Sequence, residues 1–444
     1  SAPRLPGGGK LGMQLLGQLP FQLTAAQQRV WHELATDMTK EYPMQRLLQG
    51  DVGSGKTIVA ALALLQAVEN GWQGALMAPT EILAEQHWHK LDQWLTPLGI
   101  EVAWLSGSQK KAQRTAMATA VREGRAPIIV GTHALIEDAV DFKCLGLAVI
   151  DEQHRFGVRQ RLALRRKGGT AHVPHQLMMS ATPIPRSLAM SYYADLDVSI
   201  IDELPPGRSP VRTRLVADGR RAEVIARVHD ACMEGRQAYW VCPLIEESET
   251  LQLQTAQETF ARLTEELPDL RIGLVHGRLK PAEKSAVMEA FVRGEIQVLV
   301  ATTVIEVGVD VANASLMIIE HAERFGLAQL HQLRGRVGRG AAQSACILLY
   351  ARPLGETARA RLKVIFENSD GFEIARQDLA LRGPGEFIGA RQSGLPLLRY
   401  ANLDEAALVD AARAVAEVML RDTPVAAEAH LQRWLAGREE LLKA

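Results

Sequence analysis

What the sequence has little of narrows the field before any motif is considered. Cysteine occurs only four times in 444 residues, at Cys144, Cys232, Cys242 and Cys346. The four are scattered, with no C-x-x-C pair and no histidine at metal-ligand spacing. That argues against a disulfide scaffold or a structural zinc site and fits a reduced cytosolic compartment. Long apolar runs are missing too. The longest apolar helix candidate, Ile58 to Val68, falls well short of the ~20 residues that span a bilayer, and no secretory or transmembrane segment is legible. Charge of one sign is also in short supply, since 50 basic side chains stand against 51 acidic ones, a formal net charge of -1. A global basic field is thereby excluded, and any surface for a polyanion must be a local patch. Even an initiator Met is lacking. Ser1 to Gly9 is rich in Pro and Gly and reads as a linker or a cut end, with a preceding domain expected to be missing.

What is present has the balance of an ordinary globular protein, 47% apolar and 23% charged residues. At ~150 residues per domain, two to three cores are expected. From Arg46 onward, short apolar runs alternate with amphipathic stretches of helical period, the pattern of repeated βαβ units and a parallel sheet, hence an α/β fold. Strands are expected at 46–49, 74–78, 101–105, 127–131, 145–150 and 176–180. Glu203 to Pro210 then carries three prolines and a glycine and reads as an interdomain linker. The alternation restarts at 211–216, 238–244, 271–275, 297–301, 316–320 and 346–350. After Arg352 come charged helical stretches, a Gly/Pro-rich loop from Arg382 to Pro396, and terminal helices, an accessory region without its own sheet. The resulting division is 1–19 as linker or truncated end, 20–204 and 211–352 as the two α/β domains, and 353–444 as the helical region.

Gly50-Asp51-Val52-Gly53-Ser54-Gly55-Lys56-Thr57 matches G-x-x-x-x-G-K-[ST] between an expected strand and an apolar helix. Its glycines, Gly50, Gly53 and Gly55, let backbone N–H groups close around phosphate oxygens. Lys56 can reach the β and γ phosphates, and Thr57 can ligate Mg²⁺. The run 145–150 ends in Asp151-Glu152, two carboxylates at the strand edge where ligands sit in open α/β sheets. Asp151 suits a Mg²⁺ ligand and Glu152 a group that orients the attacking water. An acidic strand end is by itself more often a helix cap; the P-loop in the same domain shifts the balance. In the second half, Arg336 and Arg339 of Gln332-Leu333-Arg334-Gly335-Arg336-Val337-Gly338-Arg339 would share one face if the segment were a helix. They can place guanidinium charge on a transferring phosphoryl group, the blander alternative being a basic face in water or on DNA phosphate. Thr80, Thr132, Thr302 and Thr303 lie just past strand ends, where hydroxyls bind phosphates or, more commonly, cap helices. His133, His154 and His276 lack paired spacing and suit hydrogen-bonding or core roles better than metal ligation. Met178 and Met179 read as core filling.

Taken in order, these blocks resemble the motifs of superfamily 2 helicases. Phe21 to Gln27 looks like the adenine-recognising Q motif, with Gln27 in the recognition position, Ala78 to His87 like motif Ia and Gly131 to Leu135 like motif Ib. Ser180-Ala181-Thr182-Pro183 is similar to motif III, Ala301 to Asp310 to motif V and Gln332 to Arg339 to motif VI. The resemblance covers residues from about 20 to 350 and implies two tandem RecA-like domains closing on ATP and Mg²⁺. By the same resemblance Gln332, Arg336 and Arg339 act on the nucleotide with Lys56 and Glu152. Ser180, Thr182 and Asp310 couple the nucleotide to domain movement, and Thr80, Thr132, Thr302 and Thr303 contact DNA.

Asp151-Glu152-Gln153-His154-Arg155-Phe156-Gly157-Val158 and Ala181 to Arg186 look like the versions in the RecG and transcription-repair coupling families. Asp370 to Ala375, Arg382-Gly383-Pro384-Gly385-Glu386-Phe387 and Gln392-Ser393-Gly394 resemble the segment called TRG, and favour RecG. There, Arg382 and Gln392 are implied DNA contacts, and a helical hairpin followed by a loop is implied as the lever. The implied activity is ATP-dependent translocation on duplex DNA that remodels branched DNA, reversing stalled forks and migrating Holliday junctions. The implied setting is a monomer in the bacterial cytoplasm at the nucleoid, with single-stranded DNA-binding protein as a partner. The family's N-terminal wedge domain is not found ahead of Ser1. An RNA helicase would not need the TRG-like block. A coupling factor would need an RNA-polymerase-binding domain, and a non-enzymatic binding module would not need an intact phosphate-binding set.

Overall fold

The computed structural model of the chain describes residues 1–7, 9–107, 109–137, 140–152, 164, 167, 172–182, 196–204, 210–243, 249–302, 311–338, 340, 343–389 and 406–435. Seven parallel strands form the first sheet: β1 (Gln45–Gly50), β2 (Gln73–Met77), β3 (Val102–Leu105), β4 (Ile128–Gly131), β5 (Leu145–Ile150), β6 (His175–Ser180) and β7 (Asp197–Ile201), in the spatial order β3-β4-β2-β5-β6-β1-β7. Six parallel strands form the second: β8 (Arg212–Ala217), β9 (Gln237–Cys242), β10 (Ile272–Val275), β11 (Val298–Thr302), β12 (Ala314–Ile319) and β13 (Ala345–Tyr350), in the order β10-β11-β9-β12-β13-β8. Every pairing runs parallel. That is why the central strands are near-continuous apolar runs, because both faces are covered.

The first sheet carries α1 (Lys10–Gln18), α2 (Ala25–Asp37), α3 (Lys56–Glu69), α4 (Glu81–Leu95) and α5 (Lys111–Glu123). The second carries α6 (Arg221–Met233), α7 (Glu249–Glu266), α8 (Pro281–Val292) and α9 (Leu327–Arg334). The C-terminal region is helical: α10 (Glu356–Glu367), α11 (Gly371–Gly389), α12 (Ala406–Asp422) and α13 (Pro424–Leu435). Residues Ile58 to Ala67 of α3 are all buried, lying between the sheet and α1 and α2. Each fully buried leucine there contributes about 2 kcal/mol of transfer free energy, so packing holds this helix in place under the loop that precedes it. Met178 and Met179 are core residues on opposite faces of β6. No helix among the described residues is long and apolar enough to cross a membrane.

Three features depart from the sequence reading. The edge strand β7 is unexpected, because Asp197 and Ser199 interrupt its apolar run; Ser199 instead accepts a bond from Arg46 Nη1 at 2.9 Å. Residues 1–19, read as linker or cut end, pack onto the first core. Leu5 is fully buried, Gln66 Nε2 donates to Leu5 O at 2.7 Å, and Val173 N donates to Ser1 O at 3.0 Å. A Pro/Gly-rich strap without periodicity hides such backbone-mediated contacts from a pattern search. Finally, α11 runs to Gly389, through the Gly383-Pro384-Gly385 stretch read as a loop. Proline's fixed φ is compatible with a helix, but inside one it removes a hydrogen bond and costs about 3 kcal/mol, which is why the sequence reads as a loop there. Residues 390–396 of that expected loop, and 205–209 of the interdomain linker, lie outside the described residues.

His175 fastens the strap. Its Nε2 donates to Pro3 O at 2.7 Å and its Nδ1 accepts from Met44 N at 3.0 Å, which fixes a neutral ring. Burial lowers its pKa from the ordinary 6.5, against the pull of Pro3 O and Asp37. The unfolded chain therefore binds more protons in mild acid. The His175 contribution is fully present above pH 6.5 and is lost as pH falls from there toward the lowered value. Urea unfolding should show the wild type losing stability between neutral pH and pH 5 by more than a His175→Gln variant. Parallel pH profiles for the two would overturn the assignment.

Candidate functional site

In the first sheet β6 lies between β5 and β1, so three strand tips stand side by side: Asp151-Glu152, Ser180-Ala181-Thr182 and the Gly50 to Thr57 loop. The order alone thus brings together segments as far apart in sequence as Gly50 and Thr182, at the carboxyl edge where open α/β sheets bind ligands.

The loop's shape is written in its glycines. Gly53 and Gly55 have φ of +80° and +89°, values that an L side chain rarely adopts. A Cβ on Gly50 would lie 2.4 Å from Ser54 Oγ, and one on Gly55 would lie 2.1 Å from Gln27 Nε2. Gln27 caps α2 in a capping box with Thr24 and donates through Nε2 to Ser54 O at 2.8 Å. The Q-motif residue therefore braces the P-loop directly. Lys56 opens α3 and donates from Nζ to Gly50 O at 2.6 Å and Asp51 O at 3.1 Å. Burial pushes its pKa below the ordinary lysine value, against the pull of Asp151, Glu152 and Asp51 and with a push from the Arg336 charge. Thr57 lies in the first turn of the same helix.

At the neighbouring tip, His87 Nε2 on α4 donates to Asp151 Oδ2 at 2.6 Å, and Glu152 N donates to Asp151 Oδ1 at 2.9 Å. Burial opposes charge on Asp151, yet the His87 ring and the Lys56 ammonium prevail and hold the carboxyl below the usual range. It is therefore a carboxylate at neutral pH. Glu152 has φ of +51°, a left-handed conformation costing roughly 1–2 kcal/mol for a residue with a Cβ.

The second sheet reaches this edge through α9. Gln332 Nε2 donates to Thr182 Oγ1 at 2.5 Å, and His331 Nε2 donates to Asp51 Oδ1 at 2.8 Å. A Cβ on Gly335 would lie 3.2 Å from Val52 Cβ. Arg336 is close enough to lower the Lys56 pKa. The expected set Gln27, Lys56, Thr57, Asp151, Glu152, Ser180, Thr182, Gln332 and Arg336 is thus assembled around one cleft. Backbone N–H groups at a helix N-terminus suit phosphates. One threonine and one carboxylate suit Mg²⁺, which fills its other positions with phosphate oxygens and water.

Arg339, Asp310, Thr303, Gln392 and His154 lie outside the described residues, and Arg382 lies on α11 with its side chain undescribed. Thr80 takes the blander role of an N-cap, its Oγ1 accepting from Leu83 N at 3.4 Å. Thr132 and Thr302, expected to offer hydroxyls to phosphate, are buried at 1% and 3% exposure with Oγ1 unpartnered. The strand tips that carry them are covered. Three residues here are given no role by the motif reading: His331, and His87 and Arg334 inside the blocks that resemble motifs Ia and VI. Their signal is periodic, for His87 shares the buried face of α4 with Ala84, Leu91 and Leu95, and α9 buries Leu327, Leu330, His331 and Arg334. A polar residue at an inward-facing helix position needs a partner.

Comparison with known proteins places this geometry in context. Family models match over residues 24–191 (DEAD/DEAH box helicase), 222–341 (helicase conserved C-terminal domain) and 368–435 (ATP-dependent DNA helicase RecG, domain 3, C-terminal). The ATP-dependent DNA helicase RecG of Escherichia coli is 56% identical over 447 residues, covering 100% of this chain and 64% of that protein. Its counterpart from Aquifex aeolicus is 49% identical over 95% of this chain and 54% of that protein. The chain thus spans less than two thirds of the length of these relatives. A solved structure of RecG bound to a three-way DNA junction superposes with a TM-score of 0.76 at 46% identity, over 92% of this chain and 53% of that one. Yeast Dbp5 bound to RNA and ADP BeF3, at 16% identity and a TM-score of 0.61 over 84% of this chain and 96% of that one, shares the fold.

Gly55→Ala should force Gln27 off Ser54 O and strain a φ of +89°. Nucleotide affinity, read by titration with a fluorescent ATP analogue, should weaken at least about tenfold, equivalent to ~1.4 kcal/mol. An unchanged Kd would remove the Gln27 brace from the site.

Proposed function

Because this chain belongs to the RecG family of helicases, we propose that it is an ATP-driven motor that translocates on double-stranded DNA and remodels branched DNA, reversing stalled forks and migrating Holliday junctions. The single observation that carries the reading is the meeting of the P-loop with α9 across the cleft, through Asp51 to His331 and Thr182 to Gln332. Residues 1–204 act as the nucleotide-binding half, 211–352 as its RecA-like partner and 353–444 as the translocation region. One chain supplies both halves of the cleft, so a monomer is a complete motor. It works in the bacterial cytoplasm at the nucleoid, beside single-stranded DNA-binding protein.

Thr57 and Asp151 would hold Mg²⁺, which would supply charge neutralisation at the phosphates, and the depressed pKa of Asp151 keeps its carboxylate charged for that purpose. Lys56 exchanges its two carbonyl partners, Gly50 O and Asp51 O, for phosphate oxygens. Glu152 orients the attacking water and takes up its proton. Arg336 and Arg339 place positive charge on the transferring group, which works by positioning and electrostatics. Ser180 and Thr182 link the nucleotide edge to Gln332, so movement at the phosphates shifts the second sheet. Thr303 and Asp310 lie in motif V. Arg382 and Gln392, with Thr80 and Thr303, grip DNA as the cleft opens and closes.

Lys56→Ala should abolish ATP hydrolysis, whereas the wild type should hydrolyse ATP with stronger stimulation by forked and duplex DNA than by single-stranded RNA. Undiminished turnover in the variant removes the P-loop assignment, and stimulation by RNA alone removes the substrate. Arg382→Ala should retain stimulated hydrolysis but lose triplex displacement from duplex DNA by at least about tenfold. Loss of neither activity would remove Arg382 from the coupling path.

A further inference from the structure

Two polar side chains of α9, His331 and Arg334, have no part in the phosphate chemistry proposed above, and their bonds form a continuous path. We propose that His331, oriented by Arg334, is a positioning residue that latches the P-loop to the C-terminal helices when the cleft is closed. The inference rests on the ATPase reading above and deepens it.

The path starts at the corner between α10 and α11. Arg334 Nη1 donates to Ile365 O and Asn368 O, both at 2.8 Å, and to Thr213 Oγ1 at 3.2 Å, while Nη2 reaches Ser369 O at 3.3 Å. The last carbonyls of a helix lack intrahelical donors, and here one buried guanidinium supplies them to α10. The same Nη2 lies 3.0 Å from His331 Nδ1. A guanidinium donates and never accepts, so Nδ1 carries the lone pair and the ring proton sits on Nε2. That proton is given to Asp51 Oδ1 at 2.8 Å.

The imidazole is thus oriented from the second sheet and used on the first. Asp51 is the second residue of the phosphate-binding loop, and its own carbonyl accepts from Ser54 N at 3.0 Å and Lys56 Nζ at 3.1 Å. Holding its side chain therefore fixes the turn that positions Lys56. Val52 and Gly335 abut beside it, so the bond exists only with α9 seated against the loop. Ile82 of α4 also packs against the core of the second sheet, so the seating extends beyond this one bond. Arg334, at 5% exposure, cannot release the α10 carbonyls without leaving them unpaired. Seating α9 and placing the α10–α11 corner are in this way one event.

The test is a double-mutant cycle on the whole chain, measuring DNA-stimulated ATP turnover and, separately, equilibrium ATP affinity. His331→Ala and Asp51→Ala should each lower kcat about tenfold or more while Kd for ATP stays within about twofold, because the loop's own phosphate donors remain. The double variant should be no worse than either single one, since both remove the same bond. Asp51→Asn keeps an acceptor at Oδ1 and should recover turnover to within about threefold of the wild type, a rescue that a general packing defect would not give. Additive losses in the double variant, turnover unaffected in the single ones, or Asp51→Asn as impaired as Asp51→Ala would each overturn the latch. If His331→Ala does not fold, the comparison of Asp51→Ala with Asp51→Asn decides alone. A wild type without DNA-stimulated hydrolysis would instead sink the ATPase reading, a result distinct from failure of the cycle.

Discussion

The nucleotide edge of the first sheet depends on side chains that arrive from the second at hydrogen-bonding distance. Among the described residues His331 meets Asp51 of the phosphate-binding loop at 2.8 Å, and Gln332 meets Thr182 at the β6 tip at 2.5 Å. The rest of the architecture can be read as what it takes to hold those contacts. Parallel sheets put every functional tip at one edge. The order β5-β6-β1 sets the carboxylates, the Ser180 to Thr182 turn and the glycine loop next to one another. Opposite them, α9 is anchored by Leu327 and Leu330 in the second core, so its polar residues arrive on a rigid support.

The electrostatics of the cleft follow from the same crowding. Lys56 is desolvated and its pKa is lowered, and Asp151 keeps its charge because His87 and Lys56 surround it. Each group is tuned by neighbours that come from different elements, α4, α3 and the β5 tip. The left-handed backbone at Glu152 adds local strain where the chain must turn sharply at the end of a fully buried strand, and surrounding packing sustains it.

Most of the fold was legible in the sequence because a parallel strand covered on both faces is a near-continuous apolar run, as β5, β9 and β12 show. The edge strand β7 does not, since Asp197 and Ser199 serve Arg46 and solvent. The glycine loop, the acidic tip and motif VI could be read because backbone geometry and phosphate chemistry tolerate few residue types there. His331 and Arg334 were hidden for the opposite reason. Their roles depend on which carbonyls and carboxylates tertiary packing delivers, and only their inward helical spacing hinted at it. Thr132 and Thr302 show the same limit from the other side: a threonine past a strand end can be named, but whether its hydroxyl meets solvent is decided by what covers it.

The N-terminal strap has a mechanical corollary. It is fastened to Gln66 near the end of α3 and to His175 at the start of β6, both at the border of the sheet farthest from the nucleotide loop. The helix and the strand are therefore anchored at their bases within their own domain, whereas the bonds at the rim to Asp51 and Thr182 come from the second sheet. Withdrawal of α9 would leave the bases as the fixed ends, so the rim would gain freedom that the opposite border does not.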